Sequence, residues 1–428
     1  MNYLKFIWKY RIIPNLSWRL IKIIGRYGFT GRRLKNNIRN FIEDSNRFEI
    51  YPTLPTTCQV INKYMDFFKQ FSTEQLEIAL HGFYHQDYTL IPYANRIEML
   101  NKSFIIFEDA NIPVSGIRLP YLRSDASTLE MIKNLSIEYD NSHCFWWKVN
   151  GWETKKNKKV IRKMKEQYNP FFPEDEFVLP YFSNSLINIP ASLPDDDLIW
   201  DRSCIKNKGK VTKVWNHILS ETMERGELFV MILHPERYHI LRTPFLRIAE
   251  RLKEEKNKIW TAPLRDIARW WKKRSQAFVE CKLTGNGKIK VHIRRPRELN
   301  YRFFNFNFHK NIKMTGILQS DLVHEEFEVA IQHLPVIGLG EQTTPAFREM
   351  LVNLGFGVDA EPGSPEHYSV FFEQDPPMDS KREWLQNFLS TLKLPLIRFN
   401  FWPENYNSAF AITGDIDAIS FLDFFSRI

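Results

Sequence analysis

The sequence predicts an α/β protein, a largely parallel sheet or barrel joined to a smaller α+β module. Three observations predict it. Between about Arg47 and Trp271 short apolar runs alternate with helix-length segments, as in parallel sheets with crossover helices. Polar residues fall at the ends of those runs: His81 and His85, Arg118, Asp140, and His234. Loops at that strand edge of an α/β barrel converge on one mouth, so these residues read as one pocket. After "DIARWWKKRSQ" the texture changes, and residues from about Ala277 to His309 alternate apolar and polar positions around an Asn-Gly turn, a hairpin signal.

The elements follow in order. From Met1 to Ile42 there are ten basic residues and no acid, interleaved with apolar positions such as Phe6, Trp8, Ile12, Trp18 and Ile23. This basic amphipathic pattern suits an anionic membrane surface, and equally a helix packing its apolar face on the protein. Pro14 interrupts the best apolar run, which falls short of the ~18 uncharged residues a membrane span needs. A secretory signal pattern is absent. Candidate strands are then "FEIYPTLP", "LEIALHGF", "SGIRLPY", "IEYDNSH", "SLINIPASL", "LFVMILHPE" and "KIWTAPL", with helices at about Tyr93 to Asp109, Ser127 to Leu135 and Val211 to Glu224. The second module continues with "PAFREMLVNLGFGV", a helix stopped by Gly355, the strand-like "YSVFFEQ" and a helix through "REWLQNFLSTL". Last comes "NSAFAITGDID", an apolar run leading into Asp415 and Asp417.

A chain of 428 residues exceeds the ~250–300 at which single cores stop growing, so two domains are expected. A hydrophobic content of 43% and an aromatic content of 14% describe an ordinary globular chain, so disorder is not the default reading. Four dispersed cysteines, Cys58, Cys144, Cys204 and Cys281, form no C-x-x-C pair and point to free thiols in a reducing, cytoplasmic compartment. There is no internal repeat, no phosphate-binding glycine loop and no arrangement specific to nucleic acid.

"HGFYH" places His81 and His85 four apart after an apolar run, a spacing that lets both imidazoles face one divalent ion. Alone the signal is weak. Asp415 and Asp417 lie at i and i+2, which in an extended strand share a side. One could complete a His-His-Asp metal set and the other act as a base; the alternative is an acidic turn capping the helix "AISFLDFF".

"GIRLPYLR" and "ILHPERY" weigh toward the first of these. With these the chain resembles the polysaccharide deacetylase family, whose members share the NodB homology barrel and remove acetyl groups from sugars. The resemblance is carried by "HGFYH", by the R-x-P-Y of Arg118 to Tyr121, by the strand-terminal histidine of "MILH", and by the D-x-D of "ITGDID". In the family the acid motif opens the domain, whereas here it stands about 330 residues after "HGFYH". The resemblance therefore implies a circularly permuted, distorted (β/α)7 barrel. Residues 1–275 would form its main part, 276–404 an α+β accessory domain, and 405–428 the permuted first strand and helix, completing its own barrel or that of a second copy in a homodimer.

Carried over position by position, the resemblance implies that Asp417, His81 and His85 bind the metal and that Asp415 is the general base, paired with Arg118. The backbone N–H of Tyr121 would help hold the oxyanion, and His234, tuned by a carboxylate such as Asp140, would protonate the leaving amine. Pro120, Trp146 and Asp196 would contact substrate. For Trp146 the alternative is a core aromatic, and for Asp196 a solvated acidic loop within "NIPASLPDDDLIWD". Glu236 and Arg237 read as structural residues at the rim. The implied cofactor is Zn2+, with Co2+, Ni2+ or Mn2+ suiting the same ligands. The implied substrate is an acetylated glycan, free or lipid-linked, met in the cytoplasm or at the inner face of the membrane. Two other readings stand beside this one: hydrolysis of a non-sugar C–N amide, and a glycan-binding protein without turnover.

Overall fold

The computed structural model describes residues 23–183, 186–285, 287–305, 315–319, 321–359 and 363–426. Most of the basic N-terminal stretch and Asn286 of the predicted turn lie outside the described residues. The chain divides into two compact units. One comprises the described parts of Met1–Pro173, Val178–Ala268 and Ala409–Ile428, the other Glu174–Phe177 and Arg269–Ser408.

The first unit begins with α1 (Arg32–Arg47), β1 (Thr53–Thr56), α2 (Cys58–Phe68), β2 (Glu77–Leu80), α3 (Tyr93–Asp109), β3 (Gly116–Ile117), α4 (Ala126–Lys133) and β4 (Tyr139–Asp140). It continues through β5 (Cys144–Trp146), α5 (Lys158–Tyr168), β6 (Tyr181–Ser183), β7 (Leu186–Asn188), β8 (Ala191–Leu193), α6 (Lys208–Arg225), β9 (Leu228–Ile232), α7 (Tyr238–Glu254) and β10 (Ile259–Thr261). Helix α8 (Leu264–Arg274) crosses the division between the units.

The second unit holds a four-stranded sheet of β11 (Phe278–Leu283), β12 (Ile289–Pro296), β14 (Thr315–Gln319) and β15 (Leu322–Val329), with β13 (Tyr301–Phe304) outside it. The first two strands pair antiparallel from Phe278↔Arg294 to Leu283↔Ile289, the hairpin that the alternation predicts. Beyond them β16 (Leu334–Gln342) pairs parallel with β17 (Tyr368–Gln374), and β13 pairs antiparallel with β18 (Leu396–Phe399). Helices occupy Pro345–Asn353 and Lys381–Thr391.

The last strand, β19 (Ser408–Thr413), belongs to the first unit's sheet. That sheet has nine strands in the order β10-β19-β1-β2-β3-β4-β7-β6, with β9 also paired to β19. β19 runs parallel to β9, from Ala409↔Leu228 to Thr413↔Ile232, and parallel to β1 at Thr413↔Thr53. Every residue of β1, β2, β9 and β19 is buried. Such continuous apolar runs belong to parallel strands covered on both faces.

The helices supply the cover. In α1 the buried Leu34, Ile38, Phe41 and Ile42 recur every three to four residues, each contributing about 1.5–3 kcal/mol by leaving water. Helix α6 starts at Asn207, whose side chain accepts from the Lys210 amide at 3.0 Å, and ends at Gly226 in the left-handed conformation. One sequence expectation needs correction. "SLINIPASL" is not one strand but β7 and β8, because Pro190 has no N–H for a continuous ladder. The end strand β6 of the nine-stranded sheet runs antiparallel to β7. No described helix is long and apolar enough to cross a membrane.

Candidate functional site

Parallel pairing fixes where the site forms. The strands β1, β2, β3, β4, β9 and β19 all point their C-terminal ends one way. His81 directly follows β2, Arg118 follows β3, Asn141 follows β4, His234 follows β9 by one residue, and Asp415 and Asp417 follow β19. The end of the ladder carries these residues inward: the His81 amide still donates to Thr56 O at 3.0 Å and the Arg118 amide to Leu80 O at 2.9 Å.

His81 is 1% exposed, and its Nδ1 bonds the Arg118 carbonyl at 2.7 Å. That fixes the tautomer with the proton on Nδ1 and turns Nε2 to the cleft, where it is buried without a hydrogen-bond partner. Nε2 stands 3.5 Å from Asp417 Oδ1 and 3.7 Å from Asp415 Oδ2, and His85 Nε2 stands 3.4 Å from Asp417 Oδ2. Two donors each about 2.1 Å from one tetrahedral ion would be about 3.4 Å apart. His81, His85 and Asp417 thus fit a divalent ion. The turn between the two histidines is tight: Gly82 has φ +75, and a Cβ there would lie 2.8 Å from the Tyr88 ring.

Asp415 is held from the other side. Arg118, with no exposed surface, donates from Nη1 to Asp415 Oδ1 at 2.6 Å, from Nε to Asn141 Oδ1 at 2.8 Å and from Nη2 to Thr413 Oγ1 at 2.8 Å; Nη2 also bonds Asn141. Burial pushes the Asp415 carboxyl upward, but the charges of Arg118, His81 and His234 outweigh it and keep the group below the usual carboxylate range.

His234 faces Asp415, with Nε2 3.9 Å from Asp415 Oδ2. Its Nδ1 bonds Asp196 Oδ1 at 2.6 Å, and its amide donates to Asp196 Oδ2 at 3.2 Å. Burial alone would lower this imidazole; the Asp196 charge and hydrogen bond, with Glu236, raise it well above its ordinary value. Behind Asp196 sits Arg237, 3% exposed, which donates to Asp196 Oδ2 at 3.3 Å, Asp197 Oδ1 at 2.6 Å, Asp201 Oδ2 at 2.7 Å and Glu236 Oε1 at 2.9 Å. Arg26 also bonds Asp201, whose carboxyl lies at about 2: burial raises it, and Arg237 and Arg26 more than offset that.

Tyr121 adopts left-handed φ 63 in the short turn that the buried Pro120 opens, and its ring lies edge-on to His85 with centroids 4.6 Å apart. A non-glycine residue there carries strain that the surrounding bonds must hold. The turn is held by the Leu119 amide donating to Ser142 Oγ at 2.8 Å.

His81, His85, Asp417, Asp415, Arg118, Tyr121 and His234 therefore come together at one strand edge. Four expectations change. Asp140 does not touch His234: it accepts from Ser142 N at 3.0 Å and from the Ser142 hydroxyl, and so supports the Arg118–Tyr121 turn from below. The carboxylate on His234 is Asp196, which is 0% exposed and offers a substrate no surface. Trp146 is also 0% exposed, packed on Trp152 with its Nε1 donating to Glu153 at 3.1 Å, and has no free face for a sugar ring. Glu236 and Arg237 are buried rather than at the rim. Asn141 was missed, although its place immediately after a strand is the signal that singled out His81 and Arg118.

A mixed α/β unit with a parallel sheet, carrying a candidate metal trio at the C-terminal strand edge, is the class that the fold and site define. No family model matches the sequence, and no curated protein does. Among solved structures, this chain is similar to Puue allantoinase, with 16% identity over 61% of this chain and 78% of that one at a TM-score of 0.44. It is similar to a probable polysaccharide deacetylase from Pseudomonas aeruginosa PAO1, with 16% identity, 60% and 77% coverage and a TM-score of 0.44. A Mycobacterium smegmatis protein assigned as a polysaccharide deacetylase matches with 16% identity, 55% and 76% coverage and a TM-score of 0.41.

Proposed function

We propose that this protein is a metal-dependent hydrolase that removes N-acetyl groups from a carbohydrate, built as a permuted deacetylase barrel in which β19 stands for the family's first strand. The observation that carries the reading is the pairing, within one cleft, of an ionised Asp415 with a raised His234 beside the His81, His85 and Asp417 trio. Titratable groups pushed apart in this way mark the base and the acid of a hydrolytic site.

His81 Nε2, His85 Nε2 and Asp417 would hold the ion, with Zn2+ the expected occupant and Co2+, Ni2+ or Mn2+ fitting the same donors. A divalent ion there supplies Lewis acidity to the amide carbonyl and to the attacking water. Asp415 accepts the proton of that water, and Arg118 keeps it ionised and aimed. The Tyr121 N–H lies on the turn beside His85 and donates to the developing oxyanion. His234, with Nδ1 committed to Asp196, presents Nε2 to the cleft and protonates the departing amine.

The test is acetate release from N-acetylglucosamine oligomers, with and without added zinc or cobalt, for the wild type and Asp415→Asn. Metal-dependent release that drops by roughly a hundredfold or more in the variant is expected. A metal-loaded wild type that releases no acetate from any acetylated sugar would move the activity to another amide; equal turnover in Asp415→Asn would remove Asp415 from the mechanism.

A further inference from the structure

Three arginines of the second unit come together without an acid. The strand register sets Arg302 of β13 directly opposite Arg398 of β18. Like charges facing each other across an antiparallel pair are destabilising, so this pairing calls for a counterion. The third, Arg274, ends helix α8. Its Cζ lies 4.6 Å from the Trp271 ring centroid and 5.6 Å from that of Phe401. Arg398 shares the Phe401 ring at 5.0 Å and also covers Phe356 at 5.1 Å.

Arg274 and Arg398 converge on one corner, where Leu354 and Gly355 follow the helix Pro345–Asn353. Arg398 donates from Nε to Leu354 O at 2.8 Å, and Arg274 Nη2 lies against Gly355, whose φ is +91 and where a Cβ would stand 3.0 Å from that nitrogen. Arg274 is 5% exposed; its Nε donates to Asn400 O at 2.9 Å, but Nη2 is buried with no hydrogen-bond partner. Burial pulls Arg274 down to about 9 and Arg398 down to about 10. The charges that act on them among the described residues add to this, since Arg274 feels Arg398 and Arg398 feels Arg302.

A buried cation is ordinarily matched by an anion, because leaving water uncompensated is costly. The carbonyls of Leu354 and Asn400 each occupy one Nε–H and leave the guanidinium forks uncommitted. Exposure falls from Arg302, which is open to solvent, through the half-buried Arg398 to the buried Arg274, so the cluster can be entered from outside. Converging forks of this kind match the several oxygens and the near-double charge of a phosphate better than a singly charged carboxylate. We propose that Arg274, Arg398 and Arg302 form a binding site in the second unit for a phosphate group, either free or carried as an ester. The site does not depend on the chemistry proposed for the first unit.

The test is titration calorimetry on the full chain in chloride buffer, with inorganic phosphate and glycerol phosphate as probes, backed by thermal melts. The wild type is expected to bind one phosphate per chain and to melt higher with it. Arg398→Lys keeps the charge but loses the fork, and Arg302→Gln changes an exposed side chain; each is expected to weaken binding by roughly tenfold or more with an unchanged circular dichroism spectrum. Tighter binding of the ester than of inorganic phosphate makes the ligand a phosphate ester, and the reverse order makes it the free ion; both uphold the site. Wild-type protein that gains nothing from phosphate beyond chloride overturns it, as do both variants binding like the wild type. An Arg274→Met protein that melts below the wild type by the same margin with and without phosphate also overturns it, since that arginine then serves only the Asn400 carbonyl.

Discussion

Replacing Asp196 by Asn tests how the acid side of the site is held. Asp196 is fully buried and accepts from His234 Nδ1 at 2.6 Å, from the His234 amide at 3.2 Å and from Arg237 Nη1 at 3.3 Å. The substitution preserves shape, but turns one of two acceptor oxygens into a donor facing N–H groups. A hydrogen bond to a charged group is worth about 1.5–3 kcal/mol, and leaving buried cations short of an anion adds to the loss. Together these give a stability deficit of ~2–4 kcal/mol in mildly acid solution.

The pH dependence has a definite sign. Burial lowers the imidazole, Asp196 and Glu236 raise it, Arg237 opposes them, and the net position is well above the ordinary value; Asp415 faces it from across the cleft. A raised histidine contributes stability that is fully present below its unfolded value of about 6.5 and is lost as pH rises through the higher folded value. The deficit of the Asp196→Asn variant should be largest below that window and narrow above it, leaving the part due to Arg237. Urea midpoints followed by tryptophan fluorescence across the pH range measure this. Turnover should fall by roughly 10²–10³ with KM nearly unchanged, because Asp196 has no exposed surface. A deficit independent of pH, together with normal turnover, would reduce Asp196 to a packing role and refute the reasoning.

Arg118→Met should cost about 3–5 kcal/mol, because it leaves Asp415 and Asn141 without their buried partner. Combined with Asp415→Asn it should cost less than the sum of the two, and additivity in that double-mutant cycle would show the pair to be uncoupled. His81→Ala or Asp417→Ala should weaken zinc binding in equilibrium dialysis by more than roughly a hundredfold, since losing even an outer partner of a ligand costs 10–100-fold; Asp415→Asn should still bind, and wild-type affinity in either ligand variant would remove that residue from the trio. Gly414→Ala places a Cβ 2.5 Å from Leu233 O and 2.9 Å from Pro235 Cδ, where β19 passes the His234 loop. The backbone must shift there, so about 1–3 kcal/mol of stability and roughly tenfold in turnover should be lost; a thermal melt and turnover like the wild type's would show that the strands tolerate the separation.

What was legible in the sequence was whatever local spacing determines. The i, i+4 histidines, the i, i+2 aspartates and the Arg118 turn each occupy a short stretch whose backbone sets their directions, and all reach one edge. The acidic run "LPDDDLIWD" was not legible, because its three consecutive aspartates look alike in sequence and differ in their partners. Asp195 accepts from Leu198 N at 2.8 Å, Asp196 takes His234, and Asp197 takes Arg202 and Arg237. Burial, then Asp196 and Asp197, push Asp195 up to about 7. A charge run usually signals a solvated face; this one is buried because Arg237 and Arg26 come from elsewhere in the chain to neutralise it. Trp146 failed for the converse reason. An aromatic at the end of a strand looks the same in sequence whether its face meets solvent or, as here, Trp152.

The two buried pairs work in opposite directions, and their separation matters as much as their identity. Arg118 holds Asp415 ionised against burial, while Asp196 holds His234 raised against burial. Left in direct contact, an ionised carboxylate and an imidazolium would satisfy each other and neither would serve a substrate. Here Asp415 Oδ2 and His234 Nε2 stand 3.9 Å apart, beyond hydrogen-bond distance, because each is tied by its own second partner at 2.6 Å. Asp415 is oriented by a strand-end arginine and His234 by a loop aspartate, so the gap between them is fixed by β3, β9 and β19 rather than by their mutual attraction. A group lodged in that gap meets an acceptor on one side and a donor on the other, which is the demand that hydrolysis of an amide makes.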